Sequence, residues 1–292
     1  MIQSLIRSPL LRPLHLMAVS FQRRRLRGLI LAMHGNSTDP EIAPIVDYLR
    51  RHPEMPVPLE TRPACDYVDH LSADAVKVEA DPAESCPFVM VNGDRIYFPT
   101  GYGEADIRRR VNIAFIEQHP QSPHLYVDSQ CRFGPNATAV LAGASDGIFA
   151  LSIRDRLRKG YLFEPNADWH RPLALTIKPF GDKFEIVPKF LSDHDAPDSA
   201  RLDAFMKDRG ELDYLQADVE GGESALLAGA METLRRSPSV HCSICSYHNH
   251  DDARDLSRIL ESTGLKTRFS QGYFVMGFRS PYLRRAIIYG WK

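Results

Sequence analysis

From residue 137 onward the chain alternates short apolar runs with amphipathic stretches, and this alternation constrains the fold more tightly than any other feature. The apolar runs are "TAVLAG" (138–143), "GYLFEPN" (160–166), "KFEIVPKFLSD" (183–193), "LDYLQADVE" (212–220) and "VHCSICSY" (240–247). Between them lie "DGIFALSIRDRLRK", "DWHRPLALTIKPF", "ARLDAFMKDRG", "ESALLAGAMETLRRS" and "DDARDLSRILESTG", which read as helices. A strand apolar along its length needs cover on both faces, and intervening helices supply it. The expected fold is therefore α/β: a Rossmann-like, doubly wound, mostly parallel sheet with right-handed crossovers. The closing "LKTRFS-QG-YFVMGF" reads as two strands joined by a tight turn, which makes the last strand antiparallel.

Residues 1–120 read as an N-terminal extension, and 121–292 as the Rossmann-like domain. The extension begins with a basic arm: residues 1–38 carry Arg7, Arg12, Arg23, Arg24, Arg25 and Arg27 and no acid. Such an arm could lie on a membrane surface or address an organelle. Pro9 and Pro13 interrupt any long amphipathic helix, which favours packing of its leucines on the main domain. "PEIAPIVDYLRRH" reads as a helix, "FVMVNGDRIYFP" as a hairpin turning at Asn92-Gly93, and "EADIRRRVNIAFIEQH" as a second helix.

Composition narrows the function classes. The formal net charge is −1, which gives no electrostatic case for nucleic acid. Five cysteines, odd in number and scattered, suggest no disulfide framework and an intracellular, cytoplasmic setting. No apolar run has the length of a membrane span. An oligomer is compatible with the sequence.

In an open α/β sheet, ligands bind beyond the carboxyl ends of the strands. The first tip is "AGASDG", where Gly143 and Gly147 let the backbone approach a ligand. The second, "FEPN", presents Glu164, which can accept both hydroxyls of a ribose or merely neighbour a helix N-cap. The third, "FLSD", presents Ser192 and Asp193, suited to an adenine edge or to capping a loop. The fourth, "DVEGGE", sets Asp218 and Glu220 at alternate positions, so both face one side. Glu223 reads as a carboxylate favoured at a helix N-terminus. The fifth, "SYHNHDD", supplies His248 and His250 for a general base or a metal. Cys242 and Cys245 point to opposite faces of a strand, which argues against a redox or zinc pair. No metal is expected.

These stretches resemble a known family. "YLQADVEGGESALLAGA" is similar to the hallmark of FkbM-type methyltransferases, in which a strand ends in Asp-x-Glu-Gly and runs into a leucine-containing helix. "FEPN", "FLSD", "RLDAFM" and "GYFVMGF" follow in the family's order, and "EQHPQSPHLY" and "PYLRRAIIYGWK" resemble one bacterial branch. The resemblance covers residues 117–292. It implies S-adenosylmethionine as methyl donor and a hydroxyl oxygen as the usual acceptor, on a small molecule, sugar or lipid-like compound. It implies that Gly143, Ala144, Asp146 and Gly147 line the methionine part, that Glu164 with Pro165 and Asn166 holds the ribose, and that Ser192 and Asp193 lie near adenine. Asp218 and Glu220 would face the transfer centre, with His248 as general base and Glu220 as its understudy. One residue departs from the pattern: Leu141 stands where the family carries an acid that helps fix the donor's ammonium group. Two rival readings remain at this point, a nicotinamide oxidoreductase and a non-catalytic binding or scaffold module. The first lacks the full G-x-G-x-x-G, and an antiparallel last strand fits a methyltransferase sheet better.

Overall fold

Side chains alternate across a strand, and along residues 137–142 both sets are buried and, but for Thr138, apolar, so this strand needs a core on each side. The computed structural model, which describes residues 24–53, 64–276 and 280–292, supplies both. Val140 and Ala142 join one cluster with Leu226, Leu227, Leu256 and Ile288. Ala139 and Leu141 join the other with Leu151, Leu162, Leu173 and Tyr214. Full burial of one such large side chain is worth roughly 1.5–3 kcal/mol.

The chain divides into two compact units, residues 1–70 with 271–284, and residues 71–270 with 285–292. The hairpin and the helix after it thus belong with the large sheet. In the smaller unit, residues 24–34 are helical, as are Ala43–Arg51. Leu26, Ile30, Ile45 and Leu49 pack there with Val275 and Leu283, which lie on a paired two-stranded ribbon. Most of the basic arm, including Arg7, Arg12 and Arg23, lies outside the described residues. Among the described residues no helix is long and apolar enough to cross a membrane.

The larger unit opens with the antiparallel strands β1 (Val78–Asp81), β2 (Cys86–Val91) and β3 (Asp94–Tyr97). Asn92 and Gly93, with φ of 51° and 89°, make the expected turn. Helix α1 (Glu104–Glu117) follows. Then come β4 (Ala137–Ala142), α2 (Ile148–Ser152), β5 (Leu157–Phe163), α3 (Ala167–Ile177), β6 (Phe184–Val187), β7 (Tyr214–Ala217), α4 (Glu223–Ala228), β8 (His241–Cys245), α5 (Asp252–Ser262), β9 (Lys266–Phe269) and β10 (Ile287–Trp291). The sheet order is β9-β10-β8-β7-β4-β5-β6. Strands β4 to β8 are mutually parallel, and β10 runs antiparallel to both its neighbours. The order reverses beside β4, so a crevice opens between the tips of β4 and β7.

Three expectations need correction. The last strand is not in "YFVMGF": β9 pairs with Ile287–Trp291, and Phe274–Val275 pairs instead with Leu283–Arg284. "IIYGW" is buried along nearly its whole length and fills the gap between β8 and β9, whereas residues 271–284 belong to the other unit. The helix read over 146–159 stops at Ser152, and "RLRK" already enters β5. "ESALLAGAMETLRRS" is two helices, because Asp203 accepts hydrogen bonds from the Glu232 and Thr233 N–H groups and so caps a fresh start at Met231.

Candidate active site

The tips of β4, β5 and β7 surround a cavity of about 410 Å³, within the range of small-molecule sites. Gly143, Glu164 and Asp218, far apart along the chain, all line it. What brings the first and last together is backbone. Asp218 N–H donates to the Ala142 carbonyl at 3.0 Å, and Gly143 N–H donates to the Phe163 carbonyl at 2.9 Å. A Cβ at position 143 would sit 2.1 Å from the Asp218 carbonyl oxygen, and φ there is +82°, so only glycine closes this corner.

Ala144 and Asp146 also line the cavity, but Gly147 does not. Gly147 instead starts α2 with φ +81°, and its missing side chain makes room for Leu173. Asp146 is already engaged. One oxygen accepts the Ile148 N–H at 3.0 Å and the other accepts Arg110 Nε at 3.0 Å. Arg110, on α1, also donates to Ser145 Oγ and lies over the Trp169 ring at 4.8 Å.

Glu164 is buried at the end of β5. Its oxygens accept the Ser145 N–H at 2.8 Å and the Asn166 N–H at 2.9 Å, which ties the glycine loop to the start of α3. Pro165 and Asn166 complete that wall, and Asn166 caps α3 through the Asp168 N–H. Ser192 and Asp193 fall outside the cavity lining, and Lys189, Phe190 and Leu191 take their place. Pro188, which lacks an N–H, ends β6 early. The chain then pairs Ser192 N–H with the Ala200 carbonyl, and the Ser192 hydroxyl donates to Asp193.

Asp218 and Glu220 both reach the cavity. Asp218 accepts the Tyr126 hydroxyl at 2.8 Å and the Tyr247 hydroxyl at 3.4 Å. Burial, then the Asp218 charge, pushes both phenols well above their ordinary range, so they act as neutral donors. Glu220 has φ +55°, a strained conformation for a side-chain-bearing residue, and its side chain is 91% exposed.

His248 does not itself line the cavity but stands directly behind these carboxylates. Its Nε2 lies 3.5 Å from Asp218 and 3.6 Å from Glu220, and its Nδ1 lies 2.9 Å from Glu223. Glu223 is fully buried and accepts the Val219 N–H at 3.0 Å. Burial alone would lower the imidazole pKa. Glu223 first, then Asp218 and Glu220, outweigh burial and raise it. His124, fully buried on the far side of Asp218, is pushed down to about 4 by burial and stays neutral. His250 is exposed and pairs with Asp251.

Around Asp218, two groups among the described residues present ligand atoms close enough for a cation: Asp218 with Glu223 and His248, and Asp218 with His124 and Cys245. The second suits one poorly, because burial holds the Cys245 thiol protonated.

The strand-tip pattern does not point to Tyr126, His124 and Glu117, nor to a site role for Glu223 beyond a helix N-terminus. The first three all fall within "EQHPQSPHLY", whose likeness to a family branch was the available signal.

The decisive comparison concerns the half of the sheet that holds Asp218. Residues 181–273 match the family model of the methyltransferase FkbM domain. The matched residues include Asp218, Glu220, Glu223 and His248, while the glycine loop and Glu164 precede them. No curated protein matches the sequence. Among solved structures, the chain is similar to precorrin-6y C5,15-methyltransferase from Geobacter metallireducens, with 12% identity over 56% of this chain and 85% of that one, and a TM-score of 0.40. It is also similar to the Methanococcus jannaschii fibrillarin pre-rRNA processing protein, with 12% identity over 74% and 97% and a TM-score of 0.42. A SAM-dependent methyltransferase from Aquifex aeolicus gives 13% identity over 56% and 84%, with a TM-score of 0.35.

Proposed function

We propose that this protein transfers a methyl group from S-adenosylmethionine to a hydroxyl oxygen of a small-molecule, sugar or lipid-like acceptor. The observation that carries this reading is the convergence of Gly143, Glu164 and Asp218 on one open cavity beside the FkbM segment.

The residues around the cavity suit the donor. Each Glu164 oxygen accepts one backbone N–H and retains a lone pair, so the pair can accept two ribose hydroxyls. Phe190, 54% exposed, and Leu191 offer apolar faces to a base. When bound, the donor supplies a methyl group on a positively charged sulfonium. The protein's task is then alignment of acceptor, methyl and sulfur, together with removal of the acceptor's proton. Tyr126 fixes Asp218 at the cavity wall. His248 takes the proton at Nε2 by way of the cavity-lining Asp218 and Glu220, 3.5 and 3.6 Å away, while Glu223 at Nδ1 orients the ring and stabilises the imidazolium. Glu220, at the rim, is the second candidate for this role.

Calorimetric titration with S-adenosylhomocysteine and, separately, NAD tests the reading. Binding of the first alone is expected. Binding of NAD alone would favour an oxidoreductase, and binding of neither would favour a non-catalytic scaffold.

A further inference from the structure

We propose that Glu117 receives the α-ammonium group of the donor's amino-acid end, in place of the glycine-loop acid that Leu141 displaces. This rests on the donor assignment above. It adds a residue from outside the sheet to the binding site.

Leu141 cannot be relieved by a nearby acid on its own strand. It is 1% exposed and packs among Phe133, Leu151, Leu162 and Tyr214, an apolar setting in which a carboxylate is costly. The replacement must come from elsewhere on the cavity wall. Four other carboxylates reach that wall: Asp146, Glu164, Asp218 and Glu220. Asp146 is already paired with the Arg110 guanidinium, which neutralises its charge, and also accepts the Ile148 N–H. Glu164 accepts two backbone N–H groups, and its remaining lone pairs are taken by the ribose hydroxyls in the reading above. Asp218 holds two tyrosine hydroxyls. Glu220 is 91% exposed and sits beside His248. Glu117 differs from all of them. Its side chain is partly buried at the wall, and among the described residues it accepts no hydrogen bond.

Its surroundings favour a cation. Glu117 is the last residue of α1, where exposed carbonyls make the helix end partly negative. The next residue is anchored on both sides: Gln118 donates to the His124 carbonyl and accepts the Tyr126 N–H. Burial, then Asp218 and Asp146, pushes the Glu117 carboxyl well above its ordinary range. A primary ammonium would offset that repulsion, supply three donors and draw the proton off the carboxyl.

The test compares S-adenosylhomocysteine with 5′-methylthioadenosine, which keeps the nucleoside thioether and lacks the amino-acid end. Both are titrated calorimetrically into wild type and Glu117→Gln, in two buffers of different ionisation enthalpy. Expected for the variant is a loss of about 10- to 100-fold in affinity for S-adenosylhomocysteine, with 5′-methylthioadenosine changed less than about twofold. Wild type should also release protons on binding S-adenosylhomocysteine, and the variant should not. The melting temperature without ligand should not fall, since the substitution removes a repelled carboxyl. Equal losses for both ligands, or none, would overturn the assignment. Wild type binding neither ligand would overturn the donor reading first and this inference with it.

Discussion

Glu223 is a carboxylate with no exposure to solvent, and the imidazole 2.9 Å away is what makes that tolerable. A buried charge stripped of its partner costs about 3–5 kcal/mol. The same pairing sets the chemistry of His248. Its pKa is raised above the ordinary 6.5, so it is charged at low pH and becomes a base only as pH rises through the raised value. We expect kcat/KM to climb along an acid limb centred above 6.5 and His248→Ala to lower turnover by about 100-fold or more. An unchanged turnover would remove His248 from the mechanism. In Glu223→Gln the largest influence raising the imidazole is gone, so the acid limb should move to lower pH, as steady-state rates across pH would reveal. Stability runs the other way: the folded state's preference for the imidazolium is fully felt below 6.5 and fades as pH rises through the raised pKa.

At the scale of elements, the site is a corner between two parallel strands. β4 and β7 come within reach because Gly143 allows the Asp218 carbonyl to approach its α-carbon. Gly143→Ala should destabilise the fold by about 2–4 kcal/mol, from steric overlap and left-handed strain together. Urea unfolding would measure this, and a variant as stable as wild type would show that the corner is looser than described. The strands that build this corner were legible in advance because each is a short apolar run ending in polar residues. The last strand was not. Residues 273–278 and 287–291 are both apolar, and local pattern has no means of choosing between them. The choice falls to burial: Ile287 and Ile288 are inaccessible to solvent and pair on both sides.

For the whole molecule, protons and ligand act on one folding equilibrium. His124 is neutral in the fold down to about 4, whereas in an unfolded chain it titrates near 6.5. The unfolded state therefore binds more protons between those values, and His124 makes stability rise as pH increases across that window. Glu117 contributes oppositely: its raised carboxyl makes stability fall as pH rises above its ordinary 4.5. Chemical denaturation at a series of pH values should show a flatter alkaline side for Glu117→Gln than for wild type. S-adenosylhomocysteine at about 100 times its Kd should add about 2.7 kcal/mol to the wild-type stability. No such gain would count against the donor cavity.

The sequence by itself determined the alternating α/β architecture and the candidacy of Gly143, Glu164 and Asp218. Strand periodicity and strand-tip chemistry are local properties, readable within a few residues. Only the tertiary structure decided that Ser192 and Asp193 turn away and that Phe190 and Leu191 face the cavity. It alone brought Glu117 and Tyr126 to the cavity wall and set the Glu223–His248 pair behind Asp218. Those placements depend on how a helix and a loop fold over the sheet, and long-range packing leaves no periodic trace in the chain.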